Sequence, residues 1–233
     1  MNASNLSAGK VTFEERQRNL SFLRVLYTLF AITLLVAVIW TSFALSFFDN
    51  FGLGIQTYWQ VAIATGVICL LCILLATFVP FAQRIPVSIA IYVIFTLCFM
   101  HFASWLSLVD PSRLVYYALW LLLAIGIAYA IYAWSTSTYM NTLISILITG
   151  VACLLVFVGF LIFSDVSFLG LLLVLLAVLI YGCYLNYDIR KVVRGGIHDY
   201  TREDPWSGAV RIWVESLFVF CRFVELLGRS CCK

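Results

Sequence analysis

Asp188 and Glu215 are the residues of this chain whose type and setting could carry chemistry. Asp188 follows Tyr187 at the end of the sixth of a series of long apolar runs, and Glu215 lies inside the seventh. An ionised carboxylate at membrane depth costs about 3 kcal/mol or more, so it usually faces a bundle interior and often marks an ion or proton path. Two acids that meet there can share one proton, which makes a pH-sensitive latch. Whether the two meet decides what the chain can do.

The seventh run carries more charge than the others. Arg211, Glu215, Phe218, Arg222 and Glu225 recur at spacings of four, three, four and three, on one helical face. Val210, Trp213, Val214, Leu217, Phe220 and Val224 form the opposite face. Two arrangements fit this pattern: an amphipathic helix on the membrane surface, or a crossing helix whose polar stripe faces a bundle interior. In either, Arg211 with Glu215 and Arg222 with Glu225 can pair along the helix.

The elements that would position these groups are membrane helices. Hydrophobic residues make up 64% of the 233 and charged residues 11%, against about 25% charged in soluble domains. The runs are solidly apolar rather than alternating, which rejects a transmembrane β-barrel. The fold class is therefore an all-α polytopic membrane protein in a single domain. Crossing the hydrocarbon core takes about 20 residues. Seven segments qualify, near residues 25–48, 58–79, 85–108, 114–134, 141–163, 166–187 and 209–227. Together they make a domain of residues 25–228, with a tail of residues 1–24 before it and a short tail of 229–233 after it. Pro80, Pro86 and Pro111 punctuate the edges. Tyr58, Trp59, Trp105, Tyr116, Tyr117 and Trp134 fit interfacial belts.

Lys10, Arg16, Arg18 and Arg24 lie in the first tail, Arg84 in the second connection, and Arg190, Lys191, Arg194 and Arg202 in the sixth. The first, third and fifth connections hold just Arg113. The positive-inside rule thus predicts a cytosolic N-terminus. The polar tail and long first run predict no cleavable signal peptide. The sequons at Asn2, Asn5 and Asn19 would stay unglycosylated on that side.

A net charge of +3, scattered along the chain, gives no footprint for nucleic acid. Cys69, Cys72, Cys98, Cys153 and Cys183 sit in apolar runs and read as small hydrophobes, the Cys69-x-x-Cys72 spacing included. Cys231 and Cys232 become palmitoylation candidates if that end is cytosolic. His101 reads as an interfacial or hydrogen-bonded helix residue and His198 as a solvated one. No cofactor is expected.

The stretch from Tyr181 to Gly228 resembles the closing signature of the transmembrane Bax inhibitor motif family, especially its lifeguard branch. The matching positions are Tyr187-Asp188, Gly195-Gly196, His198, Tyr200, Glu203-Asp204, Glu215 and Leu227-Gly228. Arg84-Ile85-Pro86 followed by Phe95-Thr96-Leu97 resembles the elements that open the family's third helix. The chain also departs from the pattern. The second acidic position is Glu215 rather than Asp. Ile189-Arg190 stand in place of Thr-Gln, and Arg190 could hold Asp188 ionised. Phe99 occupies a position where many lifeguard members carry a glutamate. These departures and the short N-terminal tail suggest a viral member.

The resemblance implies a seven-helix bundle with a central seventh helix. It also implies a slow, pH-sensitive Ca²⁺ leak from intracellular stores such as the endoplasmic reticulum or Golgi, with protection against apoptosis. Asp188 and Glu215 would be the gate and the transient Ca²⁺ ligands; Arg84, Arg190, Arg211, Arg222 and Glu225 would be supporting charges. Partners would be Ca²⁺, membrane lipids and apoptosis-regulating or other membrane proteins.

The residues oppose enzymatic readings. Glu215 sits in Val-Glu-Ser rather than the Gly-x-Gly-Asp context of an intramembrane aspartyl protease. No buried Gly-x-Ser accompanies His101 as a rhomboid-type protease requires, and the seventh run has no lysine for a retinal Schiff base. The alternative from another class is a non-conducting membrane adaptor, in which Asp188 merely pairs with Arg190, Arg211 or Arg84.

Overall fold

The computed structural model describes residues 13–47, 52–110, 113–136, 142–164, 166–193 and 205–213. Six long helices fill most of them: α1 Phe13–Ser46, α2 Trp59–Phe78, α3 Val87–Val109, α4 Leu114–Ser135, α5 Thr142–Phe163 and α6 Phe168–Val193. A one-turn helix, Leu53–Thr57, precedes α2, and a 3₁₀ turn, Pro80–Gln83, follows it. Residues 205–213 form a further helical segment, α7. Each of α1 to α6 contains a stretch long and apolar enough to cross a membrane. Their outer faces expose large hydrophobic side chains such as Ile39, Leu71, Leu147, Leu155 and Leu173, as a lipid solvent requires. The protein is a polytopic helical membrane protein.

Hydrogen bonds and ring contacts fix the direction of each helix. Thr33 pairs with Thr96 (3.3 Å) and Thr41 with Ser104 (2.8 Å), so the partner numbers rise together and α1 runs parallel to α3. Between α1 and α4 they run oppositely, from Arg24 with the Thr136 carbonyl to Ser42 with the Tyr116 hydroxyl, so these helices are antiparallel. Cys69 donating to the Phe95 carbonyl, with Gly66 against Phe102, makes α2 antiparallel to α3. Tyr129 with Thr149 and Tyr117 with Phe160 do the same for α4 and α5. Gly182 against Thr149 and Phe157 against Phe168 do it for α5 and α6. Successive helices therefore alternate in direction from α1 to α6. The starts of α1, α3 and α5 and the ends of α2, α4 and α6 share one side, which also holds Arg24, Arg84, Arg190 and Lys191. Arg113 lies on the other.

Two helices extend past their apolar runs. α1 begins at Phe13 rather than near residue 25, and α6 continues past Tyr187 to Val193. Hydropathy marks the part of a helix that sits in hydrocarbon; nothing in Asp188-Ile189-Arg190-Lys191 breaks a helix, and basic residues favour a last turn. At the opposite side, α4 starts under an acidic cap. The Asp110 Oδ2 accepts the N–H groups of Leu114 (2.7 Å) and Val115 (3.3 Å), next to Arg113 in the left-handed region at φ 54°. A carboxylate on free N–H groups at a helix start is favourable in both hydrogen bonding and dipole terms.

The helices meet through small and hydroxylated residues. Lipid is as apolar as leucine, so close packing and interhelical hydrogen bonds hold such bundles together. The fully buried Tyr129 hydroxyl donates to the Gly182 carbonyl (3.0 Å). It lies 2.5 Å from the Thr149 and 3.2 Å from the Ser145 hydroxyl, which joins α4, α5 and α6. Gly182 makes that approach possible. A Cβ there would stand 2.7 Å from Thr149 Cγ2 and 2.9 Å from Ile125 Cδ1. Gly182→Ala should therefore cost about 1–3 kcal/mol by overpacking, despite alanine's better helix propensity. Thermal unfolding in detergent should show a lower midpoint; an unchanged or higher midpoint would contradict the close approach.

Candidate functional site

α7 begins at Pro205, four residues before the expected start, and proline at a first helical position costs no hydrogen bond. Residues 207–213 are all buried, so this stretch is covered around its whole circumference. That is incompatible with a helix lying on the membrane surface, one face of which would be open. Gly208 lies under Phe22 and Leu26 of α1, and Trp206 meets Tyr92 of α3 at 5.3 Å. Seven residues further on, Trp213 has advanced to Phe30 of α1 (5.3 Å) and to Phe95 (5.9 Å) and Phe99 (4.4 Å) of α3. α7 thus enters the bundle from the Arg84 side and runs inward alongside α1 and α3.

Arg211 is buried with it. Its Nε donates to the Ala76 carbonyl at 2.6 Å and its Nη2 to the Thr77 carbonyl at 3.1 Å, at the end of α2. Residue 80, which would donate to Ala76 in a continuing helix, is proline and has no N–H. Arg211 supplies the missing donor, and its charge lies at the negative end of the α2 dipole. Arg211 was expected to partner Glu215 or Asp188 on a polar stripe; its backbone bonds give it a structural role that the stripe pattern did not contain. Arg24 does the same for α4. Its Nε donates to the Ala133 carbonyl (2.8 Å), and its guanidinium lies 5.7 Å from the Trp134 ring centroid. Trp134 Nε1 in turn donates to Thr28 (3.0 Å).

The other expected site residues are placed unevenly. Asp188 and Arg190 belong to α6, within its last turns before Val193, in register after Tyr181 and Tyr184. Their side chains lie outside the described residues. So do Glu215, Arg222, Glu225, Cys231 and Cys232, and with them the expected approach of Asp188 to Glu215. Arg84 is exposed just before α3. Phe95 and Thr96, from the family-like Phe-Thr-Leu element, both face the core: Phe95 packs on Trp213, and Thr96 bonds Thr33. Phe99, at the position expected to be acidic in many relatives, is filled by a ring seated on Trp213. Cys69 and Cys72 are free and buried, consistent with their reading as small hydrophobes. His101 differs from expectation. It stands in the middle of α3 rather than at an interface, and its Nε2 is buried without a hydrogen-bond partner among the described residues.

An alternating helical bundle, the Phe95 and Thr96 of a family-like Phe-Thr-Leu element in its core, and a buried segment running inward alongside α1 and α3 define the class. The chain belongs to the Bax inhibitor motif family: the family described as "Inhibitor of apoptosis-promoting Bax1" matches residues 19–231. Among individual relatives it is similar to protein lifeguard 3 of Homo sapiens, 22% identical over 233 residues, which span 95% of this chain and 73% of that protein. Protein lifeguard 3 of Mus musculus is 22% identical over 225 residues, 93% and 71% of the two chains. No solved structure matches the chain.

Proposed function

We propose that the protein is a pH-sensitive Ca²⁺ leak of endoplasmic reticulum or Golgi membranes that lowers the Ca²⁺ content of the store and inhibits apoptosis. In this reading the N-terminus is cytosolic and α7 continues as a central seventh crossing, which makes the C-terminus luminal and removes Cys231 and Cys232 from palmitoylation. Asp188 and Glu215 form the gate. At low pH they share a proton and bond across α6 and α7. At higher pH both ionise, repel each other and attract a hard, oxygen-seeking cation.

The observation that carries this reading is the entry of α7 into the bundle. Residues 207–213 are buried all round, and Glu215 follows Trp213 by two residues. Membership of a family described as inhibiting apoptosis supports the apoptosis part of it. The purified protein in liposomes loaded with a Ca²⁺-sensitive dye should admit Ca²⁺ faster than protein-free liposomes, and less so as pH drops. A wild-type protein without a leak at any pH would overturn the proposal. The adaptor reading would then hold. It is favoured by Arg211, a buried charge in α7 that binds backbone carbonyls and thereby serves architecture.

A further inference from the structure

The buried face between α1 and α3 carries hydroxyls in two groups. The first is Tyr92, Thr33 and Thr96. Tyr92 donates to the Leu29 carbonyl at 2.8 Å, and Thr33 lies 3.1 Å from the Tyr92 hydroxyl and 3.3 Å from that of Thr96. The second is Thr41 with Ser104, at 2.8 Å. Thr33, Thr41 and Ser104 have no exposed surface at all. In register along α3, Phe99 stands between Thr96 and Ser104. The Trp213 ring lies on Phe99 at 4.4 Å and touches Phe30 and Phe95 as well. The Trp213 indole is thus seated in a pocket of three phenylalanine rings, between two sets of oxygen-bearing side chains.

Hydroxyl and carbonyl oxygens can replace part of a cation's hydration shell, whereas a constriction of apolar rings excludes water and with it the ion. We propose that Trp213, clasped by Phe30, Phe95 and Phe99, is the hydrophobic plug of the cation path, and that conduction requires α7 to withdraw this ring from Phe99. The inference rests on the leak reading above and adds to it a barrier separate from the two carboxylates. The acids bias the position of α7; the indole closes the path. The competing explanation is that the rings are ordinary core and the hydroxyls only glue α1 to α3. The two differ in what a smaller side chain does.

The test is Ca²⁺ influx into dye-loaded neutral phospholipid liposomes containing wild type, Trp213→Ala, Phe99→Ala, Trp213→Phe or Phe160→Ala. Phe160 packs on Tyr117 at 4.7 Å between α4 and α5, away from the plug, and controls for general loosening of the bundle. Trp213→Ala and Phe99→Ala should each raise the influx rate, on the order of tenfold, because a wetted constriction no longer repels the ion. Trp213→Phe should stay near wild type, and Phe160→Ala should not move. The Trp213→Ala and Phe99→Ala effects should not add when combined, since either loss opens the same barrier. If Trp213→Ala fails to reconstitute, Trp213→Leu and Phe99→Ala carry the comparison. A leaking wild type with unchanged Trp213 and Phe99 variants would overturn the plug and leave the leak reading standing, as would an equal rise in Phe160→Ala. Absence of influx in every protein would remove the leak itself.

Discussion

Asp188→Asn and Glu215→Gln should each abolish the pH response of the Ca²⁺ leak, while Glu215→Asp should preserve it. The reason is charge. Removing the shared proton from a coupled pair of acids leaves two negative charges in a poorly solvated site, and separation or a cation must relieve their repulsion. An amide at either position keeps the shape and a hydrogen bond but cannot lose that proton. Glu215→Asp retains both acids at the cost of reach. The sign is fixed by the same argument: the leak falls as pH drops, because protonation removes the repulsion and restores the bond. Influx rates in liposomes across a pH series would decide it. Neutral substitutions that leave both rate and pH profile intact would make the carboxylates structural. A wild type whose leak increased on acidification would reverse the proposed coupling.

Arg211→Ala should be the most destabilising single change in α7. It strips the buried Ala76 carbonyl and the part-buried Thr77 carbonyl of their donor, and an unmet buried carbonyl costs about 1–3 kcal/mol. Part of that loss is offset because the guanidinium no longer has to be kept away from water, so the net effect is smaller than the sum. Arg211→Lys should fall between, since an ammonium lacks the fixed fork that reaches two carbonyls at once. Pro80→Ala supplies the cross-check. It returns an N–H to the residue four beyond Ala76 and permits α2 to continue, so it should recover part of the stability that Arg211→Ala loses. A double-mutant cycle of thermal midpoints in detergent measures this coupling. Additive midpoints would show that Arg211 does not act through Ala76, and an unchanged Arg211→Ala midpoint would deny it any capping role.

Much of the architecture was legible because lipid imposes a simple rule on composition. Six apolar runs became α1 to α6, and the second and sixth connections collected basic residues. Helix length was less legible: the ends of α1 and α6 are polar, and hydropathy is silent about a helix that leaves hydrocarbon. The partners of the hydroxyls were hidden for another reason. Thr33 and Thr96 are ordinary residues in their own helices, and their meeting depends on how two surfaces dock. Arg211 carried a partial signal. Its spacing to Glu215 suggested a side-chain partner, and the backbone carbonyls it also binds leave no trace in residue type. Pro80 was the one clue, since a proline four residues after Ala76 announces a carbonyl that needs a donor from elsewhere. Asp188 and Glu215 stood out by residue type alone, as acids do in an apolar chain.

The parallel docking of α1 on α3 sets an order of events during synthesis. Thr33 finds the Thr96 hydroxyl 63 residues later in the chain, and Arg24 finds the Ala133 carbonyl 109 residues later. α1 therefore enters the bilayer long before the surfaces that will cover it exist. Until then its threonine must satisfy itself, and Thr33 is equipped to do so, since its hydroxyl also reaches the Leu29 carbonyl of its own helix at 3.1 Å. The first helix made is a waiting template. The bundle closes around it only when the third and fourth have left the ribosome, so a chain stalled before α4 presents a half-clothed polar stripe to lipid or to whatever insertion factor shelters it.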